Sequence, residues 1–178
     1  MYRTRALRGA VSGALAAVLW ALEQPLDKAL FASEYDDIEV LGRAVVADDD
    51  GWYPAGLAWH IGNGALFGAI YATVAPVIPL PPVMRGPVVA LSENFGSWPL
   101  ASLADRLHPR RKKLPKLAGN RKALAQATLR HLLFGIVLGE LERRLNAVPE
   151  PTPPLADADF SSNGHGSLEH AITAESPE

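Results

Sequence analysis

The sequence predicts an all-α protein: a polytopic membrane bundle of about four helices, built as two pseudo-repeated hairpins, with a disordered C-terminal tail. Three observations predict it. From Pro54 to Met84 the chain runs thirty-one residues without Asp, Glu, Lys or Arg, enough to cover the ~30 Å hydrocarbon layer that about 20 helical residues span. That stretch contains His60-x3-Gly64-x3-Gly68, and the same spacing returns at His131-x3-Gly135-x3-Gly139. Finally, the apolar segments all fall within residues 1–146, while residues 147–178 hold five prolines, six carboxylates and no Lys or Arg. Too little apolar surface is present there to offset the entropy of ordering, so 147–178 reads as a disordered acidic tail.

Taken in order, the first helix is expected at about 8–24. Gly9 to Leu22 is uncharged and follows the basic run Met1 to Arg8, a layout shared with secretory signals. Glu23-Gln24-Pro25 stands where a small-x-small cleavage site belongs, which favours an uncleaved first helix. An acidic loop, Asp27 to Gly51, follows, and within it Ile38, Leu41, Val45 and Val46 fit one face of a short surface helix. The second helix is expected at about 55–76, ended by Pro76-Val-Ile-Pro79-Leu-Pro81-Pro82, because proline lacks the amide donor and clashes with the preceding turn. The third, about 86–104, is interrupted by Ser92-Glu93-Asn94 and Pro99. Arg106 to Lys122 forms a loop with eight Lys or Arg and no carboxylate, and the fourth helix covers about 123–142 with Arg130 and His131 near its middle. These interruptions keep a soluble helical bundle open as an alternative.

An internal repeat favours the membrane reading. Arg8-Gly9-x-Val11 matches Arg85-Gly86-x-Val88, Trp20 and Pro25 find approximate counterparts in Trp98 and Pro99, and each half ends in the His-x3-Gly-x3-Gly helix. Charge divides less cleanly. Residues 1–146 carry all seventeen Lys and Arg against thirteen Asp and Glu, a basic body hidden by the total of −2. With four spans and the N-terminus inside, six basic residues fall inside and ten outside, whereas a re-entrant third segment gives twelve against four. The positive-inside rule therefore favours a topology that the repeat disfavours, and orientation stays open.

Steps of four residues place Gly64 and Gly68, Gly135 and Gly139, and Gly9 and Gly13 on helix faces where another backbone can approach closely. These glycines are expected to be packing positions. Glu23, His60, Asn63, Glu93, Asn94, Arg130, His131 and Glu140 fall within or at the ends of apolar segments, where an ionisable side chain costs roughly 2.5 to 3.5 kcal/mol at mid-membrane. They are expected to face inward as a polar cluster, with Glu93 pairing Arg130 as the example. A proton relay or metal site is the sharper alternative, although no His-x3-His or Glu-x2-His spacing occurs. In the basic loop, Arg110, Arg111, Lys112, Lys113 and Lys116 are expected to meet anionic lipid headgroups. That loop lacks the aromatic interleaving of a single-strand nucleic-acid groove, so no nucleic-acid partner is expected.

With no cysteine, thiol nucleophiles, disulfides and thiolate metal sites are excluded. No nucleophile elbow, phosphate loop or metalloprotease motif is present, so no enzyme, cofactor or metal is predicted. Arg8-Gly-Ala-Val-Ser-Gly13, His60-x3-Gly64-x2-Phe67-Gly68-x2-Tyr71 and the run from Arg130 to Asn146 together resemble uncharacterised small bacterial inner-membrane proteins of the YagU-like kind over about residues 8–146. The resemblance implies a multi-pass protein of the bacterial cytoplasmic membrane with about four helices and no established catalytic residues. The expected role is structural, regulatory or accessory, with lipids and either another copy or another membrane protein as partners. A small transporter or proton-linked carrier using His60, Glu93 and His131 is the alternative.

Overall fold

The computed structural model describes residues 2–46 and 48–147, and among them the regular structure is helical throughout. The predicted tail lies outside the described residues, apart from Ala147. Six α-helices occur in the order α1 (Tyr2–Phe31), α2 (Asp37–Val45), α3 (Trp52–Val74), α4 (Pro82–Ser97), α5 (Ala101–Leu107) and α6 (Arg121–Leu145). Among the described residues, two helices are long and apolar enough to cross a membrane, α1 (Arg3–Phe31) and α6 (Arg121–Leu145). The charge-free helix α3 has the length, 23 residues, while its glycines, His60 and Asn63 keep it outside that pair in hydropathy.

Helix α1 differs from the expected 8–24 at both ends. It runs through Pro25 without stopping and ends at Phe31, so the one hydrogen bond that Pro25 cannot donate does not outweigh the packing of the turn beyond it. Its C-terminus is closed by Ser33 N–H donating to Lys28 O at 3.2 Å and Ala32 N–H donating to Ala29 O at 3.4 Å. This Schellman arrangement requires a left-handed residue, and Ala32 supplies it at φ 45°. The anticipated short helix in the acidic loop is α2, capped by Asp36, whose Oδ1 accepts from Glu39 N–H at 3.0 Å. It is docked rather than superficial: Ile38 is fully buried, and a Cβ on Gly56 of α3 would come within 3.0 Å of Gly42 N.

The third segment is not one helix over 86–104. Pro99 turns Trp98–Leu100 into a 3₁₀ step between α4 and α5, since its ring blocks a regular α-helical continuation. Before that break, α4 lies antiparallel to α6 from the Gly86–Gly139 contact to Asn94, whose Nδ2 donates to Thr128 Oγ1 at 3.2 Å. It crosses the bundle and does not turn back.

Backbones meet where the glycine strips cross. Gly9 and Gly13 of α1 face Gly68 and Gly64 of α3, and Gly86 of α4 faces Gly135 and Gly139 of α6. A Cβ on Gly64 would stand 2.6 Å from Ala17 Cβ, and one on Gly135 would stand 2.6 Å from Gly86 O. Neither position has room for a side chain. The two hairpins join through α1 and α6, where Ala16, Ala17 and Trp20 pack near Phe134 and Leu138. Helices α3 and α4 scarcely touch, which leaves the bundle open along that side.

Beside its apolar core the bundle buries several polar side chains and turns large apolar ones outward. Arg130, Gln126, Asn94, Asp27 and Ser12 are among the largest fully buried side chains, yet Leu22 and Leu26 are 70% and 73% exposed. Outward-facing large apolar residues run along α1 (Leu7, Val11, Leu15, Leu22) and recur on α3, α4 and α6.

Candidate functional site

The buried polar residues converge where α1, α2 and α6 meet. On α6, Gln126, Arg130 and Phe134 follow at four-residue steps and face inward together. On α1, Trp20, Gln24 and Asp27 occupy one face at steps of four and three. Asp37 stands in the first turn of α2, where free amides at a helix N-terminus favour a carboxylate.

Arg130 is the hub. Its Nε and Nη2 engage both oxygens of Asp27, with Nη2 donating to Asp27 Oδ1 at 2.7 Å, while Nη1 donates to Asp37 Oδ1 at 2.8 Å. Nη2 also donates to Tyr35 O at 3.3 Å, and the guanidinium carbon lies 5.4 Å from the Tyr35 ring centroid. Glu23 stands farther off, its Oε1 4.0 Å from Arg130 Nε. Gln126 Nε2 donates to Asp27 Oδ1 at 2.7 Å, and Trp20 Nε1 and Gln24 Nε2 both donate to Asp37 Oδ1. A planar guanidinium suits this arrangement because its fork serves two carboxylates and a carbonyl at fixed angles. Asp37 titrates below the ordinary carboxylate range. Burial works against its charge, but the hydrogen bond and charge offered by His60, together with Arg130, outweigh it. Burial, with Asp37 second, pushes the Tyr35 phenol upward.

The two histidines of the repeated motif sit on either side of Trp20. His60 and His131 meet the indole edge-on at centroid distances of 5.2 and 4.7 Å. His60 Nδ1 lies 3.0 Å from Asp37 Oδ2 and its Nε2 lies 3.2 Å from Ala17 O. His131 Nε2 lies 2.8 Å from Glu93 Oε2 and its Nδ1 lies 2.7 Å from Ala127 O. Each imidazole thus bridges one carboxylate and one carbonyl, all acceptors, and a neutral ring fills only one of its two contacts with a proton.

These groups border a cleft of about 470 Å³ that opens between α3 and α4. Asp37, His60, Asn63, Glu93 and His131 contribute polar wall, and Trp20, Phe67, Ile70 and Phe134 contribute apolar wall. Among the described residues no Lys or Arg lines it, and no group of three or more His, Cys, Asp or Glu has the geometry to hold a metal ion.

Several expectations need correcting. Glu93 does not pair with Arg130; it pairs with His131, because neighbouring residues on α6 point about 100° apart and Arg130 faces α1 instead. Asn63 and Glu93 are exposed along the cleft rather than packed inside. Glu140 faces outward, bound to Arg143 and Arg144 at the end of α6. Asn94 is buried. Sequence reasoning missed Asp27, Asp37 and Gln126, although Asp27 stands one helical turn beyond Glu23 and so extends the same face.

The basic loop lies against the acidic one. His108 Nδ1 accepts from Arg110 N–H at 3.0 Å, which leaves Nε2 to donate to Val40 O of α2 at 2.9 Å. Asp105 accepts from Leu117 N–H and Ala118 N–H, each at 2.9 Å, and holds the loop in place. Lys113 pairs with Asp49 at 2.7 Å, so it is engaged within the chain rather than standing alone for headgroups. Lys113 and Arg43 bring the Asp49 carboxyl down to about 2. Arg111, Lys112 and Lys116 line a separate surface cavity of about 420 Å³, with Leu114 and Leu117 beside them. At the opposite end of the bundle, Arg5 joins Glu142 of α6 and donates to Ala72 O of α3 at 2.7 Å.

Comparison with family models, curated proteins and solved structures finds no match for this chain.

Proposed function

We propose that this chain is a multi-pass protein of the bacterial cytoplasmic membrane, of the YagU-like kind, with a structural, regulatory or accessory role and no catalytic one. In this reading α1, α3, α4 and α6 cross the bilayer as two pseudo-repeated hairpins, α1 and α6 by their own length and composition, and α3 and the 16-residue α4 through the glycine crossings that hold them against α1 and α6. The observation that carries it is the outward apolar face of α1, where Leu7, Val11, Leu15, Leu22 and Leu26 are exposed while Arg130 and Asp27 lie buried. Exposing apolar side chains to water costs about 25 cal/mol per Å², and soluble monomers rarely present so continuous a patch. Lipid removes that cost. It also explains the glycine crossings, since helices in lipid adhere by close packing and interhelical hydrogen bonds. The pseudo-repeat draws support from the matching crossings of Gly9 and Gly13 with Gly64 and Gly68, and of Gly86 with Gly135 and Gly139.

The test is alkaline carbonate extraction of expressing membranes, combined with reporter fusions after Gly51, Pro82, Gly119 and Glu178. Retention in the membrane, with Gly51 and Gly119 on one side and Pro82 and Glu178 on the other, is expected. Release by carbonate overturns the membrane reading, and Gly51 and Gly119 on opposite sides overturns the four-span topology. At the loop end, Arg111, Lys112 and Lys116 would meet anionic headgroups, at about 1 kcal/mol per well-placed basic side chain.

A second reading, a small proton-linked carrier, is favoured by the cleft. His60 and His131 each bridge a carboxylate there, the arrangement through which intramembrane proton relays work. Solute uptake by reconstituted vesicles that is lost in His131→Ala supports it; vesicles inert over a broad solute panel refute it.

A further inference from the structure

We infer that the cleft between α3 and α4 is a binding site for a hydrophobic organic cation, its charged centre against the Glu93 carboxylate and its apolar body on Phe67 and Phe134. The inference deepens the carrier reading and rests on it for passage across the membrane, not for binding itself. At about 470 Å³ the cleft falls within the range of sites that hold a small organic molecule. Its floor is a run of edge-to-face aromatic rings: Phe67 to Phe134 at 5.6 Å, and Phe134 to Trp20 at 5.9 Å. Such rings attract cations through their faces and bury a large apolar area.

Charge selects the sign of the guest. Two carboxylates, Asp37 and Glu93, border the cleft, and no Lys or Arg lines it among the described residues. Asp37 is already committed to Arg130 and His60, whereas the one ionisable partner of Glu93 among the described residues is the His131 imidazole. The Glu93 side chain remains 43% exposed, so it is the carboxylate a guest can reach. A cation there adds a partner to an acidic group in a low-dielectric setting, while an anion of the same shape meets repulsion. Entry is lateral. Helices α3 and α4 scarcely touch, and the rim is formed by Leu66 and Ile70, which are exposed apolar residues. A guest that partitions into lipid therefore reaches the cleft without crossing the loops.

The experiment compares tetraphenylphosphonium with tetraphenylborate, ions of nearly the same size and shape and opposite charge, by equilibrium dialysis against the full-length protein in detergent. Saturable one-to-one binding of the phosphonium is expected, with no saturable binding of the borate. Glu93→Gln should weaken phosphonium binding at least tenfold. Ile70→Trp, which fills the rim while leaving every charge in place, should weaken it similarly and keeps the test decisive if Glu93→Gln fails to fold. Equal binding of the two ions, unchanged affinity in a folded Glu93→Gln or Ile70→Trp, or no phosphonium binding overturns the inference. Reconstituted vesicles separate this outcome from the carrier reading. Binding without phosphonium counterflow keeps the site and refutes the carrier, whereas His131-dependent uptake of other solutes without phosphonium binding keeps the carrier and refutes the site.

Discussion

Replacing Arg130 by Met removes the hub of the buried cluster while roughly conserving volume. Its side chain is 0% exposed and engages Asp27 through two nitrogens, Asp37 through a third contact and Tyr35 O through a fourth. Breaking one buried ion pair by removing a single partner costs about 3 to 5 kcal/mol, chiefly because the remaining charge is left uncompensated. Here Asp27 is left at 0% and Asp37 at 13% side-chain exposure, so the upper part of that range is expected. Arg130→Lys keeps the charge but loses the fork and should recover only part of the loss. Adding Asp27→Asn to Arg130→Met removes the stranded charge and should restore about 1 kcal/mol or more. Reversible unfolding in mixed micelles, followed by circular dichroism, measures all three. The pH dependence carries a definite sign. Asp37 has a depressed folded-state pKa, so its contribution is complete above the unfolded carboxylate value near ~3.9 and is lost as pH falls through the folded one. In Arg130→Met, part of what holds Asp37 down is gone, so its folded pKa rises toward the unfolded value and the stability it loses on acidification becomes smaller. A cost below about 1 kcal/mol for Arg130→Met, with no change in acid sensitivity, refutes the view that this cluster locks the bundle.

Gly64→Leu should separate α1 from α3, because even its Cβ meets Ala17 Cβ at 2.6 Å and Gly13 O at 2.7 Å; a loss of at least about 2 kcal/mol in the same assay is expected. Gly62→Ala, with nothing within 4 Å of the added carbon, serves as the control and should cost less than about 0.5 kcal/mol. Ala32→Gly relieves the left-handed backbone at φ 45° and should raise stability by roughly 0.5 to 1 kcal/mol, read as a higher unfolding midpoint. Lys113→Gln should return the Asp49 carboxyl from about 2 toward its ordinary value, measured by NMR titration of the side-chain carbon. High salt should shift it the same way in the parent protein.

What was legible in the sequence is what depends on local pattern. Helix α3 announces itself through freedom from charge, α6 through the returning His-x3-Gly-x3-Gly spacing, and the glycine strips through their four-residue step. Each needs no knowledge of a neighbour. The continuation of α1 past Pro25 is different, because Asp27 and Lys28 look like loop residues until Arg130, 103 positions later, is seen to take Asp27. Asp37 read as one acid among many in a surface loop, yet it joins α1, α3 and α6 through Gln24, His60 and Arg130. Glu93, Arg130 and His131 were all visible as costly polar residues, but their pairing was not. Adjacent positions on a helix face different neighbours, and only the packing of α4 and α1 around α6 decides which acid each base meets. The cleft was illegible for a related reason: it arises from the near absence of contact between α3 and α4, which no segment encodes by itself.

The central claim is that the exposed apolar face of α1 is surrounded by lipid, and spin labels report on that most directly. Because the chain has no cysteine, single cysteines at Leu15, Leu19 and Leu22 can be labelled without background in protein reconstituted into bilayers. Power saturation then compares collision with oxygen, which concentrates in hydrocarbon, against collision with a water-soluble nickel chelate. Oxygen contact dominating at all three positions is the predicted result; nickel contact dominating there would contradict the account.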